Sequence, residues 1–395
     1  MTESSEVEPE NVNAGGQAVT PGALAAVFLK LGVIAFGGPA AHIAMMEDEV
    51  VRRRRWLARE DFLDLLGATN LIPGPNSTEM AIHVGHRKAG WAGLLIAGLS
   101  FILPAAIIVT GFAWAYVRYG SLPQATGVLY GVKPVIIAVV LQALWSLSRA
   151  ALKTKLLACV CAAGAALTLL GFNELIILLA AGIVACLGKK LSEQRRGRSD
   201  IRAVIVPVPL AFAAQAAGAA AFGLWPLFLF FLKVGSVLFG SGYVLLAFLR
   251  ADLVERWQWL TESQLLDAVA VGQVTPGPVF TTATFIGYVL GGLPGAAVAT
   301  VGIFLPAFFF VAVSGPLVPR IRRSATAGAF LDGVNAASLS LMAVVTWQLG
   351  EAALVDWLTV ALFVVSLVLL LKFHLNSAWL VLGGALVGLI LGARH

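Results

Sequence analysis

One helix break occurs twice in this chain, and the rest of the sequence is arranged around the two copies. Asn70 to Thr78 reads NLIPGPNST, and Gln273 to Thr281 reads QVTPGPVFT. In each, two prolines flank a glycine within apolar sequence. Proline lacks an amide hydrogen and clashes with the preceding turn, so no helix runs through either triplet. Pro73, Gly74 and Pro75, with Pro276, Gly277 and Pro278, therefore interrupt two hydrophobic halves at corresponding places, the pattern of a binding site built from broken membrane helices.

The correspondence extends well beyond the triplets. At an offset of 203, Phe28, Lys30, Gly32, Phe36 and Gly37 fall on Phe231, Lys233, Gly235, Phe239 and Gly240. The same offset pairs Trp56 with Trp259, Asp64 with Asp267 and Asn70 with Gln273. One deletion later, at offset 202, Gly85, Gly93, Pro104 and Gly131 fall on Gly287, Gly295, Pro306 and Gly333. The halves are two copies of one structural unit. The expected division is an acidic tail over 1–21, a first repeat over 22–190, a linker over 191–221 and a second repeat over 222–393.

Soluble folds are excluded by composition. The 395 residues are 59% hydrophobic and 12% charged, with a mean hydropathy of +0.89, which indicates an all-α polytopic membrane protein. The net charge of +6 sits in short loops between apolar runs, where it orients spans; no nucleic-acid partner is implied. Glu3, Glu6, Glu8 and Glu10 give the first residues the wrong sign for a signal peptide, and they read as a disordered tail. Cys159, Cys161 and Cys186 lie inside apolar segments and read as packing residues.

The run Pro21 to Met46 is expected to span but to bend after Lys30. Glu60 to Lys88 is too mixed and too interrupted for a full crossing, and is drawn as a re-entrant hairpin with Pro73-Gly74-Pro75 at its tip. Fuller apolar runs follow at Ala89 to Val117, Pro123 to Leu147, Leu156 to Gly171 and Leu175 to Gly188. About five spans and one hairpin per half make the second copy enter the membrane inverted. Charge agrees: that topology puts 20 of the 27 Lys and Arg residues on the cytoplasmic side, and leaves Arg118, Arg250, Arg256 and Arg394 outside, with Lys30, Lys133 and Lys233 in the membrane.

These motifs identify a resemblance. Phe28 to Gly32 with Phe36 to Ile43, Asn70 to Asn76, Phe231 to Gly235 with Phe239 to Val244, Val274 to Val279 and Gly333 to Ala337 resemble the chromate ion transporters, specifically the long members with two fused homologous units. The likeness covers about Ala23 to Gly392; Ser241 departs from it, where the family often has glycine. It implies a multi-pass carrier of the bacterial inner membrane that exports chromate and confers tolerance to it.

Chromate is a tetrahedral dianion, and a helix starting in mid-membrane offers it free N–H groups and the positive end of a dipole. Asn76, Ser77 and Thr78 follow the first break, and Thr281 and Thr282 the second; with Asn70 and Gln273 they are candidate substrate-binding residues, although helix capping uses the same geometry. Lys30 and Lys233 are repeat-equivalent ionisable groups inside apolar runs, read as substrate-binding, with snorkelling as the alternative. Gly37, Gly38, Gly240 and Gly242 permit close backbone approach to a substrate or to a packed helix. Glu79, His42 and His83 are candidates for ion coupling, or for ordinary structural pairing.

No catalytic residues, cofactor or metal site are expected, and the chain is not read as an enzyme. Sulfate or another tetrahedral oxyanion fits the same residues. An enzyme acting on phosphate-bearing lipids, using His86 and Arg87, is the alternative of another class; the repeat replaces these by Tyr288 and Val289. The expected partners are the oxyanion and the bilayer, and the assembly left open is a homodimer. The charge pattern generates a test of sidedness: a cysteine beside Arg54 should be labelled by an impermeant reagent only from the cytoplasm, and one beside Glu255 only from outside. Labelling of both from one side would remove the inverted arrangement.

Overall fold

The structure, a computed structural model, describes residues 19–36, 38–120, 122–194, 221–239, 244–322, 324–373 and 375–391. The acidic tail, most of the linker, and Gly37, Gly240 and Gly242 lie outside the described residues. Within them the chain is helical, in two successions of the same elements. In the first, α1 (Pro21–Ile34) breaks into α2 (Gly38–Glu47) and a π-helix (Asp48–Arg53). Then come α3 (Arg59–Thr69), α4 (Asn76–Tyr119), α5 (Pro123–Ala151), α6 (Lys155–Leu169) and α7 (Glu174–Gln194). The second runs α8 (Leu224–Val237), α9 (Leu245–Phe248) with a π-helix (Leu249–Arg256), α10 (Glu262–Val274), α11 (Thr282–Arg322), α12 (Ala325–Ala353), α13 (Trp357–Phe373) and α14 (Ser377–Leu391).

Boundaries follow local chemistry. Thr20, Thr154 and Ser324 cap α1, α6 and α12 through their side-chain oxygens, and Thr261 and Gln264 form a capping box on α10. These satisfy amides that a helix start leaves free. After each π-helix the chain turns through a residue with positive φ, Arg55 at 51° and Gln258 at 56°. Trp56 and Trp259 then donate to Val50 and Leu253 at 2.7 and 2.8 Å. The halves share this irregular detail, so the duplication is structural as well as sequential.

A straight helix of 44 residues, the length assigned to α4, would be about 66 Å long, twice a hydrocarbon core. Instead α4 doubles back at Ala89 and Gly90, whose backbone leaves the helical region, and α11 does so at Gly291 and Gly292. The two arms of α4 then pack closely: a Cβ on Gly85 would lie 2.2 Å from the Gly93 carbonyl oxygen, and one on Gly287 2.3 Å from that of Gly295. Residues 76–88 also form the expected hairpin with α3. Arg87 and Asp61 stand 4.0 Å apart at its base, and Asn76 donates to Asn70 at 2.9 Å near its tip.

Among the described residues four helices, α4, α5, α11 and α12, are long and apolar enough to cross a membrane. Along the second arm of α4, Leu95, Leu99, Leu103 and Ile107 are exposed at a spacing of four, the stripe of a helix facing lipid. The expectation of about five full spans per half meets a difference here: α1, α6, α8, α13 and α14 have only 14 to 17 residues. At 1.5 Å per residue these reach about 21–26 Å, short of a core of about 30 Å.

Nor do the halves stand as separate lobes. α6 and α7 of the first pack against α12 of the second, α13 and α14 of the second pack against α5 of the first, and α5 crosses α12. The close contact of the α4 arms generates a measurement. Gly85→Ala and Gly287→Ala should each cost several kcal/mol through overpacking against backbone, read as a lower melting temperature of purified protein. Gly111→Ala, where an added Cβ meets nothing within 4 Å, should leave it unchanged or slightly raised.

Candidate functional site

Both Pro-Gly-Pro triplets are buried, and each is held by the opposite half. The amide of Gly74 donates to the carbonyl of Leu238 at 2.7 Å, and that of Gly277 to Ala35 at 2.9 Å. Ala35 and Leu238 are themselves repeat-equivalent, the residues that end α1 and α8. Gly74 and Gly277 have φ of 140° and 85°, which side chains rarely tolerate. A Cβ on Gly277 would lie 2.6 Å from that of Ala105, and one on Gly74 3.7 Å from that of Ala307. Each tip therefore enters the broken α1 or α8 of the other half and rests beside the residue after Pro104 or Pro306.

The side chains after the two breaks differ. Asn76 bridges to Asn70, whose own amide donates to Leu66 at 3.1 Å, so this pair closes the hairpin. Ser77 and Thr78 are buried in the first turn of α4. The Thr281 and Thr282 hydroxyls donate to the Pro278 and Val279 carbonyls at 2.8 Å each, bonding back onto their own turn. Gln273 is half-buried in the last turn of α10. Gly38 begins α2 with φ of 81°.

Glu79 is fully buried, and neither of its carboxylate oxygens has a hydrogen-bond partner among the described residues. One of them faces Gly74 so closely that a Cβ there would stand 2.3 Å away. His83, one helical turn on, is 6% exposed, and His42 on α2 is 1% exposed and meets the edge of Phe101. His83 Nε2 and His42 Nδ1 also have no partner among the described residues. Hydrophobic Phe280 and Phe304 pack near the second tip, where Thr282 stands in the place of Glu79.

Each repeat-equivalent lysine has a carboxylate that sequence reasoning missed. Lys30 pairs with Glu49, and Lys233 with Asp252; 49 and 252 are 203 apart, so the same offset would have revealed them. Glu49 also meets Arg54 at 3.3 Å, and Asp252 meets Arg256 at 2.6 Å. Arg53 also stands 4.0 Å from Glu49, so Glu49 lies among three cations and Asp252 between two, and each cluster keeps a net positive charge. Lys233 is buried and Lys30 is exposed. Arg256 also lines a cavity of about 290 Å³ with Arg250, Asn173 and Glu174.

A second trio repeats with its charges exchanged. In the first half Glu47 faces Arg52 at 3.8 Å and Arg59 at 3.5 Å. In the second the equivalent Arg250 pairs with Glu255, and with Glu262 at 2.6 Å. The geometry is kept while every sign is reversed. His86 and Arg87, the residues of the enzyme alternative, are engaged apart from one another: His86 packs edge-on against Trp91, and Arg87 faces Asp61.

Comparisons with known proteins agree with the duplication. The family described as "Chromate transporter" matches residues 22–187 and again residues 225–389. The chain is 34% identical over 371 residues to the chromate transport protein of Cupriavidus metallidurans, covering 92% of this chain and 91% of that one. It is also 34% identical over 386 residues to the chromate transport protein of Pseudomonas aeruginosa, with 92% and 91% covered. A shorter relative, the uncharacterised transporter YwrA of Bacillus subtilis, is 32% identical over 126 residues, 32% of this chain and 71% of that protein. No solved structure matches the chain. The chain belongs to the chromate transporter family, as a member in which two homologous units are fused.

Proposed function

We propose that this protein is a secondary carrier that exports chromate from the cytoplasm across the bacterial inner membrane, and so confers tolerance to it. The observation that carries this reading is the exchange of tips, in which each half's broken hairpin is hydrogen-bonded into the broken helix of the other. Irregular backbone of this kind survives in a membrane only inside protein or beside a water-filled cavity. In this reading the two helix starts, at Asn76 and after Pro278, offer N–H groups and dipoles that favour an anion. The names of the relatives from Cupriavidus and Pseudomonas supply the oxyanion.

In this reading the two Lys–carboxylate–Arg clusters add positive potential without offering a bare cation, so the dianion is attracted and still released. Glu79, buried beside the first tip, carries the coupled proton, with His83 and His42 along its path. Alternating access arises as the tips shift between the halves, which share one plan and are inverted in the membrane. The sign-reversed trios support the inversion. Arg52 and Arg59 give the first trio a positive excess suited to the cytoplasmic side, while Glu255 and Glu262 give the second a negative excess suited to the other.

Two measurements test this. Replacing Pro73-Gly74-Pro75 by three alanines lets α3 run on into α4 and removes the exchange with Leu238. Uptake of labelled chromate into inverted vesicles should be lost, with protein in the membrane unchanged and sulfate tested as competitor; retained uptake would detach the break from the site. For the lysines, Lys233→Met leaves Asp252 without one of its two cations and should destabilise by about 3 kcal/mol, as breaking a buried pair does. Lys233→Met alone takes the cluster from +1 to neutral and should also slow chromate uptake to less than about a tenth of the parent rate, whereas the double variant Lys233→Met, Asp252→Asn, in which Arg256 keeps the net charge of +1, should recover both stability and most of the uptake. Full uptake by Lys233→Met would remove the cluster's potential from transport.

A further inference from the structure

A buried charged cluster lies outside everything assigned so far. Lys133 on α5 is 3.2 Å from Asp267 on α10 and donates to Ser263 on α10 at 2.6 Å. Tyr116, near the end of α4, donates to the other oxygen of Asp267 at 2.9 Å. The Asp267 side chain is 3% exposed and that of Lys133 18%. The cluster forms the wall of a cavity of about 460 Å³, lined also by Thr126, Gln264 and Val289. At about 30 Å³ per water molecule, that is space for a hydrated small ion.

Three features separate this cluster from packing. It joins the halves, since Tyr116 and Lys133 come from the first and Ser263 and Asp267 from the second. It also escapes the duplication: the positions equivalent to Tyr116, Ser263 and Lys133 are Val318, Glu60 and Asn335, although Asp64 answers Asp267. The pairing of α5 with α10 through a lysine is therefore peculiar to this junction of the halves. Finally, Asp267 and Ser263 lie on α10, whose far end is the second Pro-Gly-Pro tip, so whatever holds Asp267 holds the arm that carries that tip.

We propose that the Lys133 cavity is a second station for a tetrahedral oxyanion, at which the dianion takes the place of Asp267 on Lys133 and accepts from Ser263. The exchange replaces the direct Lys133–Asp267 pair between α5 and α10 by a bridge through the ion, with Tyr116 still holding Asp267, and so links occupancy of this cavity to the position of α10 and of the second tip that it carries. Lys133 provides three donors and a full charge at the inner wall, and Tyr116 keeps the displaced carboxylate hydrogen-bonded. The station rests on the oxyanion-carrier reading.

The probe is molybdate, a tetrahedral dianion that does not oxidise thiols, added to purified full-length protein in which Cys159, Cys161 and Cys186 are alanine and Thr126→Cys reports from the cavity. Molybdate should slow labelling of that cysteine by a soluble maleimide, and chloride of equal ionic strength should not. Asp267→Asn, which leaves Lys133 without its competitor, should give protection at several-fold lower molybdate. Lys133→Met and the neutral double variant Lys133→Met, Asp267→Asn should need at least about tenfold more, the loss of a charged hydrogen bond. The double variant keeps the site free of an unpaired buried charge, so its folding, checked by gel filtration, is not in question. Protection of the double variant at the parent concentration, equal protection by chloride, or an unchanged Asp267→Asn would each overturn the station. Chromate uptake by the parent in vesicles is read separately: its absence would overturn the carrier reading, whereas its presence without Lys133-dependent protection would overturn only this inference.

Discussion

The fold depends on finding partners for backbone amides where helices have been deliberately stopped. A glycine amide left unpaired in a low-dielectric interior costs as much as a lost hydrogen bond. Gly74 and Gly277 meet that requirement with one carbonyl each, from Leu238 and Ala35, the residues that end α8 and α1. The donor is always in one half and the acceptor in the other. Neither half can therefore complete its own break, and the wrapping of α6 and α7 on α12, and of α13 and α14 on α5, follows the same rule of mutual completion.

Charge is handled with similar economy. The lysines inside α1 and α8 would be expensive alone, and each is offset by a carboxylate one broken helix away, itself shared with an arginine. The residual positive charge is distributed over a cluster, which in the proposed carrier would attract a dianion without a single tight clamp. By contrast Glu79 has a buried carboxylate with no such partner among the described residues. That difference between the first tip and the second, where the Thr282 hydroxyl donates back to the Val279 carbonyl, breaks the symmetry of the two tips and is the reason Glu79 is the proposed proton carrier.

The offset of 203 was visible in the sequence because it is carried by residues with backbone consequences: prolines, glycines and the tryptophans after the turn. It was less visible where the two copies use different residues for one task. Glu49 and Asp252 differ by a methylene, and the Glu47 and Arg250 trios differ by sign, so a search for identity passes over them while the geometry superposes them. The hairpin from α3 into α4 could be drawn from the sequence, since Pro-Gly-Pro forbids a continuous helix. The second reversal, at Ala89 and Gly90, carries no proline, and its signal lies in Gly85 and Gly93, which look like ordinary membrane-helix glycines until the arms are brought together.

By itself the sequence determined the class, the duplication, the positions of both breaks and the family, because hydropathy, helix-breaking chemistry and motif identity are properties of the chain read locally or at a fixed offset. Only the tertiary structure decided what completes each break and what each buried charge faces. The partners that complete the breaks lie in the other half, Leu238 for Gly74 and Ala35 for Gly277, as does Asp267 for Lys133, whereas Lys233 meets Asp252 in its own half. Lys133 and Asp267 are 134 residues apart, off either repeat offset and so without a counterpart to announce the pair. Hydrogen bonds and ion pairs are specified by distance in space, and no spacing along the chain encodes that distance once two repeats have interlocked.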